Sequence, residues 1–113
     1  MPGSENSTRH YVFYFVYVLE SVNFDRLYIG STHDLQKRLA KHNLAINFST
    51  KPYAPWRMIF YEAYISKEDA LRREKYLKTS QGARLLKRML KQFFYDKQRM
   101  DAMVKKSIKW SKN

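Results

Sequence analysis

The sequence predicts an α/β (α+β) domain with a three-stranded antiparallel or mixed sheet flanked by helices, in the order β-β-α-β-α-α. Three observations support this fold class. Aromatic and β-branched residues dominate three short runs, at 11–20, 26–30 and 56–63. Apolar residues recur at helical spacing over 34–43 and again over 66–94. The chain has 113 residues, of which 44% are hydrophobic, so it can bury the core of one domain.

The first run is predicted to form the central strand of the sheet. In the segment YVFYFVYVLE at 11–20, both alternating sets of side chains are apolar, so both faces of the strand should be covered. Turn-forming residues at 21–25 lead into the returning strand at 26–30, which makes a hairpin. A loop at 43–55 contains two prolines and precedes the third strand at 56–63.

The first helix is predicted over 34–43, with two leucines four residues apart facing the core. Gly30 should end the second strand, and Ser31 or Thr32 should act as the helix N-cap. The junction between that strand and the helix can present backbone N–H groups to an anion such as phosphate, although a single glycine is a weak signal.

Two more helices are predicted in the second half of the chain. Ser66 begins a capping box, so a helix should run from there to about residue 78, followed by a break at 79–82. One further helix should carry an apolar stripe on the sheet, made of Leu85, Leu86, Met89, Leu90, Phe93 and Phe94.

We therefore divide the chain into a flexible polar tail at 1–9, a domain at 10–95, and a basic tail at 96–113 whose composition is compatible with a helix.

Composition narrows the class of function. The 22 Lys and Arg against 10 Asp and Glu give a formal charge of +12, which favours a polyanionic partner, most simply nucleic acid. An acidic membrane surface and plain solubility are the competing explanations. The absence of cysteine excludes disulfides, thiolate zinc sites and cysteine nucleophiles. We expect a cytoplasmic protein with no membrane partner, because no apolar run is long enough to span a bilayer and the first residues do not resemble a signal peptide.

Glu74 is the most informative single position. It lies four residues after Ala70 and three before Leu77, so it falls on the helix stripe that should face the sheet. A buried carboxylate needs a cation, which leaves two explanations: a structural salt bridge with an arginine, or a metal site.

Four further side chains are candidate functional residues only when they are considered together. Arg38 and His42 are four residues apart and share one helix stripe. Tyr17 and Tyr28 lie on the two strands of the predicted hairpin. Each has an ordinary explanation as a solvated arginine, a structural histidine or a packed aromatic residue.

Together these residues resemble a known family. The triplets FVY at 15–17 and YIG at 28–30, followed by Arg38 and Glu74, resemble the GIY-YIG nuclease domain in order and spacing. The second triplet is intact, whereas phenylalanine replaces the glycine of the first. The similarity covers about residues 10–95, and the chain looks most like the short stand-alone bacterial members, which are related to the nuclease part of the excision-repair incision enzyme.

The resemblance implies an endonuclease that hydrolyses DNA and uses Mg²⁺ or Mn²⁺. It implies that the catalytic residues are Tyr17, Tyr28, Arg38, His42 and Glu74, with Glu74 also the metal ligand. Many members have an asparagine after that glutamate, and here the corresponding segment KTSQGARL has none. We expect contacts to nucleic acid from Gly30, Ser31, Thr32, Lys37, Lys41 and Lys78.

The chemistry suggests a role for each group. Arg38 can fork onto phosphate oxygens. We expect nearby cations, including Arg38, to lower the pKa of Tyr17 and so make it the base for the attacking water, with Tyr28 and His42 positioning that water or sharing its proton. The alternatives are a nucleic-acid-binding module that keeps the fold without catalysis, and an accessory surface for a protein or RNA.

Overall fold

A computed structural model describes residues 10–44 and 49–111. The tail predicted at 1–9 and the last two residues of the basic tail lie outside the described residues. The elements are β1 (Tyr14–Ser21), β2 (Leu27–Thr32), α1 (Leu35–Asn43), a 3-10 turn (Lys51–Tyr53), β3 (Trp56–Tyr64), α2 (Lys67–Leu77), α3 (Ser80–Met89) and α4 (Lys91–Ser111). They form two compact units, one ending at Tyr76 and one beginning at Leu77.

The three strands form one antiparallel sheet in the order β2-β1-β3. This confirms the predicted α+β class and the central place of β1. The middle of β1, from Val16 to Leu19, has no solvent exposure on either face, because neighbouring strands take its edges and apolar residues cover both of its sides.

The strand boundaries differ from the prediction in two places. The residues at 11–13 match the composition of a strand but precede β1, and all three are exposed. Gly30 does not end β2, because the ladder continues until Thr32 pairs with Phe15. Apolar composition alone could not show either limit, since each depends on where a partner strand is present.

One face of the sheet carries the core of the first unit. Tyr17 lies opposite Gly30 on β2 and Tyr61 on β3, and Leu19 lies opposite Tyr28. Leu35 and Leu39 of α1 pack on this face, as their spacing predicts.

The N-cap of α1 is Asp34, so the prediction of Ser31 or Thr32 is wrong. The Asp34 side chain accepts a hydrogen bond from the Lys37 backbone N–H at 3.0 Å. Thr32 is still held in the ladder, and its hydroxyl accepts instead from the Asp34 N–H at 3.1 Å.

The segment after α1 returns to the sheet through the 3-10 turn. Asn43 accepts from the Trp56 backbone N–H at 2.5 Å and donates to the Trp56 carbonyl at 3.0 Å. The indole N–H of Trp56 donates to the Thr50 carbonyl at 2.9 Å. These bonds fix Thr50 and the start of β3 to the end of α1.

Helix α2 begins with the predicted cap, since the Ser66 hydroxyl accepts from the Asp69 N–H at 3.4 Å. Beyond it, the single long helix predicted from the apolar stripe is wrong. The stripe is divided between α3 and α4 at Leu90, whose φ of −107° and ψ of 28° end α3. No glycine or proline marks this break, so the apolar spacing runs through it undisturbed.

The break before α3 is also shorter than predicted, because Thr79 is its N-cap and accepts from the Gly82 N–H at 3.0 Å. The basic tail from residue 96 is helical through Ser111 and continues α4. None of the helices in the described part of the chain combines the length and the apolar character needed to cross a bilayer.

Candidate active site

Tyr17 belongs to a buried hydrogen-bonded chain with His42 at its centre. Its hydroxyl lies 2.9 Å from Nε2 of His42, and Nδ1 of His42 lies 2.9 Å from Oγ1 of Thr50. Tyr17 and His42 are 0% exposed and Thr50 is 1% exposed. Strand β1 supplies the phenol, the last turn of α1 supplies the imidazole, and the segment before the 3-10 turn supplies the hydroxyl.

Gly30 is the position that lets the Tyr17 ring lie where it does. A Cβ atom at Gly30 would be 2.5 Å from the Tyr17 hydroxyl oxygen and 2.7 Å from the ring carbon that bears it. The ring therefore crosses directly over the glycine backbone of the paired strand. Any larger residue would displace the phenol.

Tyr28 forms an aromatic wall on the same face. Its ring centroid lies 6.2 Å from that of Tyr17 and 4.7 Å from that of His42. Trp56 packs edge-on against Tyr28 at 6.3 Å. The imidazole of His42 is consequently packed against both tyrosine rings, which limits its movement.

The pKa of Tyr17 is raised, so the expectation of a net lowering is wrong, although Arg38 itself acts in the expected direction. Burial of the phenol is the largest cause, and the neighbouring Tyr28 adds to the rise. The charge of Arg38 and a hydrogen bond from Arg38 act in the opposite direction, while the charge of Glu74 again raises the pKa. Desolvation outweighs the guanidinium, and Tyr17 is a neutral phenol near pH 7.

The pKa of His42 is lowered, first by burial and then by the positive charge of Arg38. His42 is therefore neutral near pH 7 and has one ring nitrogen free to accept a proton. Tyr17 and His42 are therefore two neutral groups in hydrogen-bond contact, and the tautomer of His42 decides which of them donates.

A cleft of about 170 Å³ lies where β2 passes into α1. Arg38 is half-buried in its wall, close to Ser31 and Thr32. Lys67, the first residue of α2, lines the same cleft. The Thr32 hydroxyl donates to the Asp34 carbonyl at 3.3 Å, so the groups that suit a phosphate here are the two cations and the Ser31 hydroxyl.

Glu74 occupies the stripe that its spacing predicts. Ala70 and Leu77, which bracket it on α2, are each 1% exposed, and Glu74 itself is half-buried. The other half-buried carboxylate nearby in the chain, Glu62, is held by Arg73 at 2.5 Å and by the Tyr64 hydroxyl at 2.7 Å. Glu62 is thus committed to an ion pair and is a poor second metal ligand.

The structure brings together five of the predicted site residues. Tyr17, Tyr28 and His42 are in ring or hydrogen-bond contact. Arg38 and Glu74 both act on the pKa of Tyr17, although α1 and α2 are separated by the loop and β3 in the chain. Their catalytic roles stay predictions.

The residues predicted to contact nucleic acid are more dispersed. Ser31 and Thr32 line the cleft, and Gly30 is buried under the Tyr17 ring. Lys37 and Lys41 are exposed on α1. Lys78 is exposed between α2 and α3 and belongs to the second unit.

Sequence reasoning missed two residues of the site. Thr50 gave no signal, because a threonine in a proline-containing loop is ordinary and its partner His42 lies eight residues earlier. Lys67 stands at the start of a helix, where acidic residues are the usual preference. That local mismatch is the one sign that could have drawn attention to it.

The hairpin with its two tyrosines, and the helices that bring Arg38, His42 and Glu74 toward it, are the framework of a nuclease superfamily. Comparison with known proteins supports this class, since residues 13–89 match the GIY-YIG catalytic domain. The chain therefore belongs to the GIY-YIG family, which confirms the resemblance drawn from the motifs.

Curated relatives are small bacterial proteins. A UPF0213 protein of Streptococcus pyogenes serotype M3 is 43% identical over 61 residues, which cover 53% of this chain and 65% of the relative. A UPF0213 protein of serotype M5 is 41% identical over the same span. The match thus covers less than two thirds of each relative's length. No solved structure matches the chain.

Proposed function

We propose that this protein is a divalent-metal-dependent endonuclease that hydrolyses phosphodiester bonds in DNA, acting in the cytoplasm in DNA repair or recombination. One observation carries the proposal: the same buried phenol, Tyr17, is hydrogen-bonded to His42 and lies under the electrostatic influence of both Arg38 and Glu74. A proton acceptor, a phosphate ligand and a carboxylate around one phenol are the groups that the reaction requires.

Substrate binding rests on the cleft and on the charge of the chain. Arg38 binds the non-bridging oxygens of the scissile phosphate, because a guanidinium stays charged and presents a forked donor pair. Lys67 and Ser31, which line the cleft, contact the same phosphate or its neighbour. The net charge of +12 speeds the capture of the polyanion.

Proton transfer runs through Tyr17 and His42. The attacking water gives its proton to the Tyr17 oxygen while the phenolic proton moves to Nε2 of His42. This exchange needs no free phenolate, so it is compatible with the raised pKa of Tyr17. Arg38 stabilises the charge that develops on the phosphate. The leaving 3′ oxygen takes a proton from solvent water and His42 returns its proton to solvent, so the products are a 5′ phosphate and a 3′ hydroxyl.

The donor chemistry of the site fits one hard cation. Glu74 offers carboxylate oxygen at a half-buried position, and the described residues contain no group of three or more histidines and carboxylates arranged to hold a metal. Mg²⁺ keeps several waters and commonly takes only one or two carboxylates, so Glu74 with water and phosphate oxygen suffices. Bound there, the ion supplies Lewis-acid stabilisation of the leaving oxygen.

A nucleic-acid-binding module without catalysis is the second candidate. The observation that favours it is the complete burial of Tyr17, since a base must reach the water that it activates. Both candidates require binding that weakens as salt rises. The two candidate functions differ because only the nuclease cleaves DNA and depends on Glu74 and Tyr17 to do so.

The test is cleavage of plasmid, single-stranded and branched DNA with Mg²⁺, with Mn²⁺ and with EDTA. We expect Glu74→Gln and Tyr17→Phe each to lower kcat by roughly 10²-fold or more, as is typical for a positioned acid–base group, with the Kd for DNA within a few-fold of wild type. Glu68→Gln is the matched control, because Glu68 is an exposed glutamate on the same helix.

Two results would contradict the proposal. Cleavage that persists at the wild-type rate in both Glu74→Gln and Tyr17→Phe would remove these residues from the reaction. Salt-sensitive binding with no cleavage under any metal condition would favour the binding module.

A further inference from the structure

We propose that Thr50 is a positioning residue that fixes the tautomer of His42, so that Nε2 faces Tyr17 as a proton acceptor. This inference deepens the proposed function and rests on it, since it explains how the imidazole is prepared for the phenolic proton. Thr50 lies outside the triplets and the single residues on which the family resemblance rests.

Thr50 is held in place from three directions. Its hydroxyl lies 2.9 Å from Nδ1 of His42. Its carbonyl accepts from the Trp56 indole N–H at 2.9 Å and from the Tyr53 backbone N–H at 3.1 Å. The side chain is 1% exposed, so water does not compete for the imidazole. A group fixed this firmly can select one arrangement of its partner.

The direction of the hydrogen bonds follows from what each group can donate. A guanidinium has donors only, so Arg38, which acts on Tyr17, cannot accept the phenolic proton. The neutral phenol has one proton, and the acceptor in contact with it is Nε2 of His42. With Nε2 accepting, the proton of the neutral imidazole is on Nδ1 and is donated to Thr50.

Removing the Thr50 hydroxyl would remove the preference of His42 for the tautomer with its proton on Nδ1. Without an acceptor at Nδ1, a proton there would be a buried donor with no partner, which is unfavourable. A proton on Nε2 would instead leave the phenolic proton of Tyr17 without its acceptor, so neither tautomer would be preferred and a part of the protein would carry its proton on Nε2. That part cannot take the phenolic proton.

The groups facing His42 from the elements around it are consistent with this assignment. Tyr17 comes from β1, Tyr28 from β2 and Arg38 from α1. Of these, Arg38 is a cation and disfavours the imidazolium that forms when the proton arrives. Thr50 opposes that effect, because its oxygen accepts from the Nδ1–H and stabilises the protonated ring.

The experiment compares Thr50→Val, which keeps the shape and removes the hydroxyl, with Thr50→Ser, which keeps the hydroxyl. Nitrogen-15 NMR of the imidazoles reports the tautomer directly. His10 and His33 are exposed, and the His42 signals are identified by their loss in His42→Gln. We expect wild type and Thr50→Ser to show the proton on Nδ1 and Thr50→Val to show a mixture of the two tautomers.

Kinetics give the second readout. Thr50→Val should lower kcat about 10- to 100-fold, the usual loss when the group that orients a histidine is removed, with KM within about two-fold. Thr50→Ser should retain most of the wild-type kcat. A proton on Nε2 in the wild type, or equal losses in both variants, would overturn the inference.

The two proposals fail in different ways. If the wild type cleaves no DNA, the proposed function fails, and the NMR comparison still decides whether Thr50 sets the tautomer. If Thr50→Val does not fold, the tautomer of His42 in the wild type and the activity of Thr50→Ser still test whether Thr50 sets that tautomer. A cleaving wild type with its proton on Nε2 would leave the nuclease and remove the role of Thr50.

Discussion

Replacing Gly30 by alanine tests the closest contact in the site with a single methyl group. Gly30 does not have a positive φ, so its backbone is open to any residue. By that criterion alone, alanine in place of a strand glycine should stabilise the protein by roughly 0.4 to 1 kcal/mol, because it restricts the unfolded chain. The tertiary structure predicts the opposite sign.

The size of the destabilisation in Gly30→Ala follows from the distances between the added Cβ atom and the Tyr17 ring. The new Cβ would lie 2.5 Å from the Tyr17 hydroxyl oxygen, 2.7 Å from the ring carbon next to it and 3.0 Å from a further ring carbon. Ordinary contact needs about 3.5 Å or more, so the ring must move by about 1 Å. Overpacking of this kind costs roughly 1 to 3 kcal/mol. The same shift would disturb the 2.9 Å bond to His42 and lower kcat by about 10²-fold.

Urea unfolding and DNA cleavage measure the two effects. We expect Gly30→Ala to reduce the free energy of unfolding, and we expect the loss to shrink when Tyr17→Phe removes the nearest atom, with a coupling of about 0.5 to 3 kcal/mol in the double-mutant cycle. A Gly30→Ala protein as stable as wild type, with equal cleavage, would refute the reasoning.

Two other predictions concern charge. Because the pKa of His42 is lowered, the unfolded chain takes up a proton below about pH 6.5 before the folded protein does, so the free energy of unfolding should fall as the pH drops from 7.5 to 5.5. His42→Gln should flatten that dependence in urea melts, and an unchanged slope would contradict the burial argument. Lys67→Ala should weaken DNA binding about equally for all sequences and reduce the slope of log Kd against log salt by about 1, measured by fluorescence anisotropy. An unaltered slope would place Lys67 away from the phosphates.

Local sequence patterns correctly predicted much of the secondary structure. The two apolar faces of the first run predicted a central strand, and β1 is central with its middle fully buried. The spacing of Leu35 and Leu39 predicted the core face of α1, and both leucines pack there. These features depend on periodicity within ten residues or so, which is why one sequence is enough to predict them.

Features that need a partner from elsewhere in the chain were missed. The strand limits at Thr32 depend on pairing with Phe15, and that pairing moved the N-cap to Asp34. The break at Leu90 is a backbone change without a glycine or proline to signal it. At Thr32 a local preference was overridden by the ladder to a distant part of the chain, whereas at Leu90 the apolar spacing simply continues through the break.

The sequence by itself determined which segments form the strands and the first helix. It also determined the positive charge, the family, and which reactive side chains the protein has. Only the tertiary structure decided how those side chains behave. Tyr17 and His42 are 25 residues apart, and sequence spacing cannot reveal that burial raises the pKa of one and lowers that of the other. Desolvation and close contact are properties of the packed chain, because both depend on what surrounds a group in space.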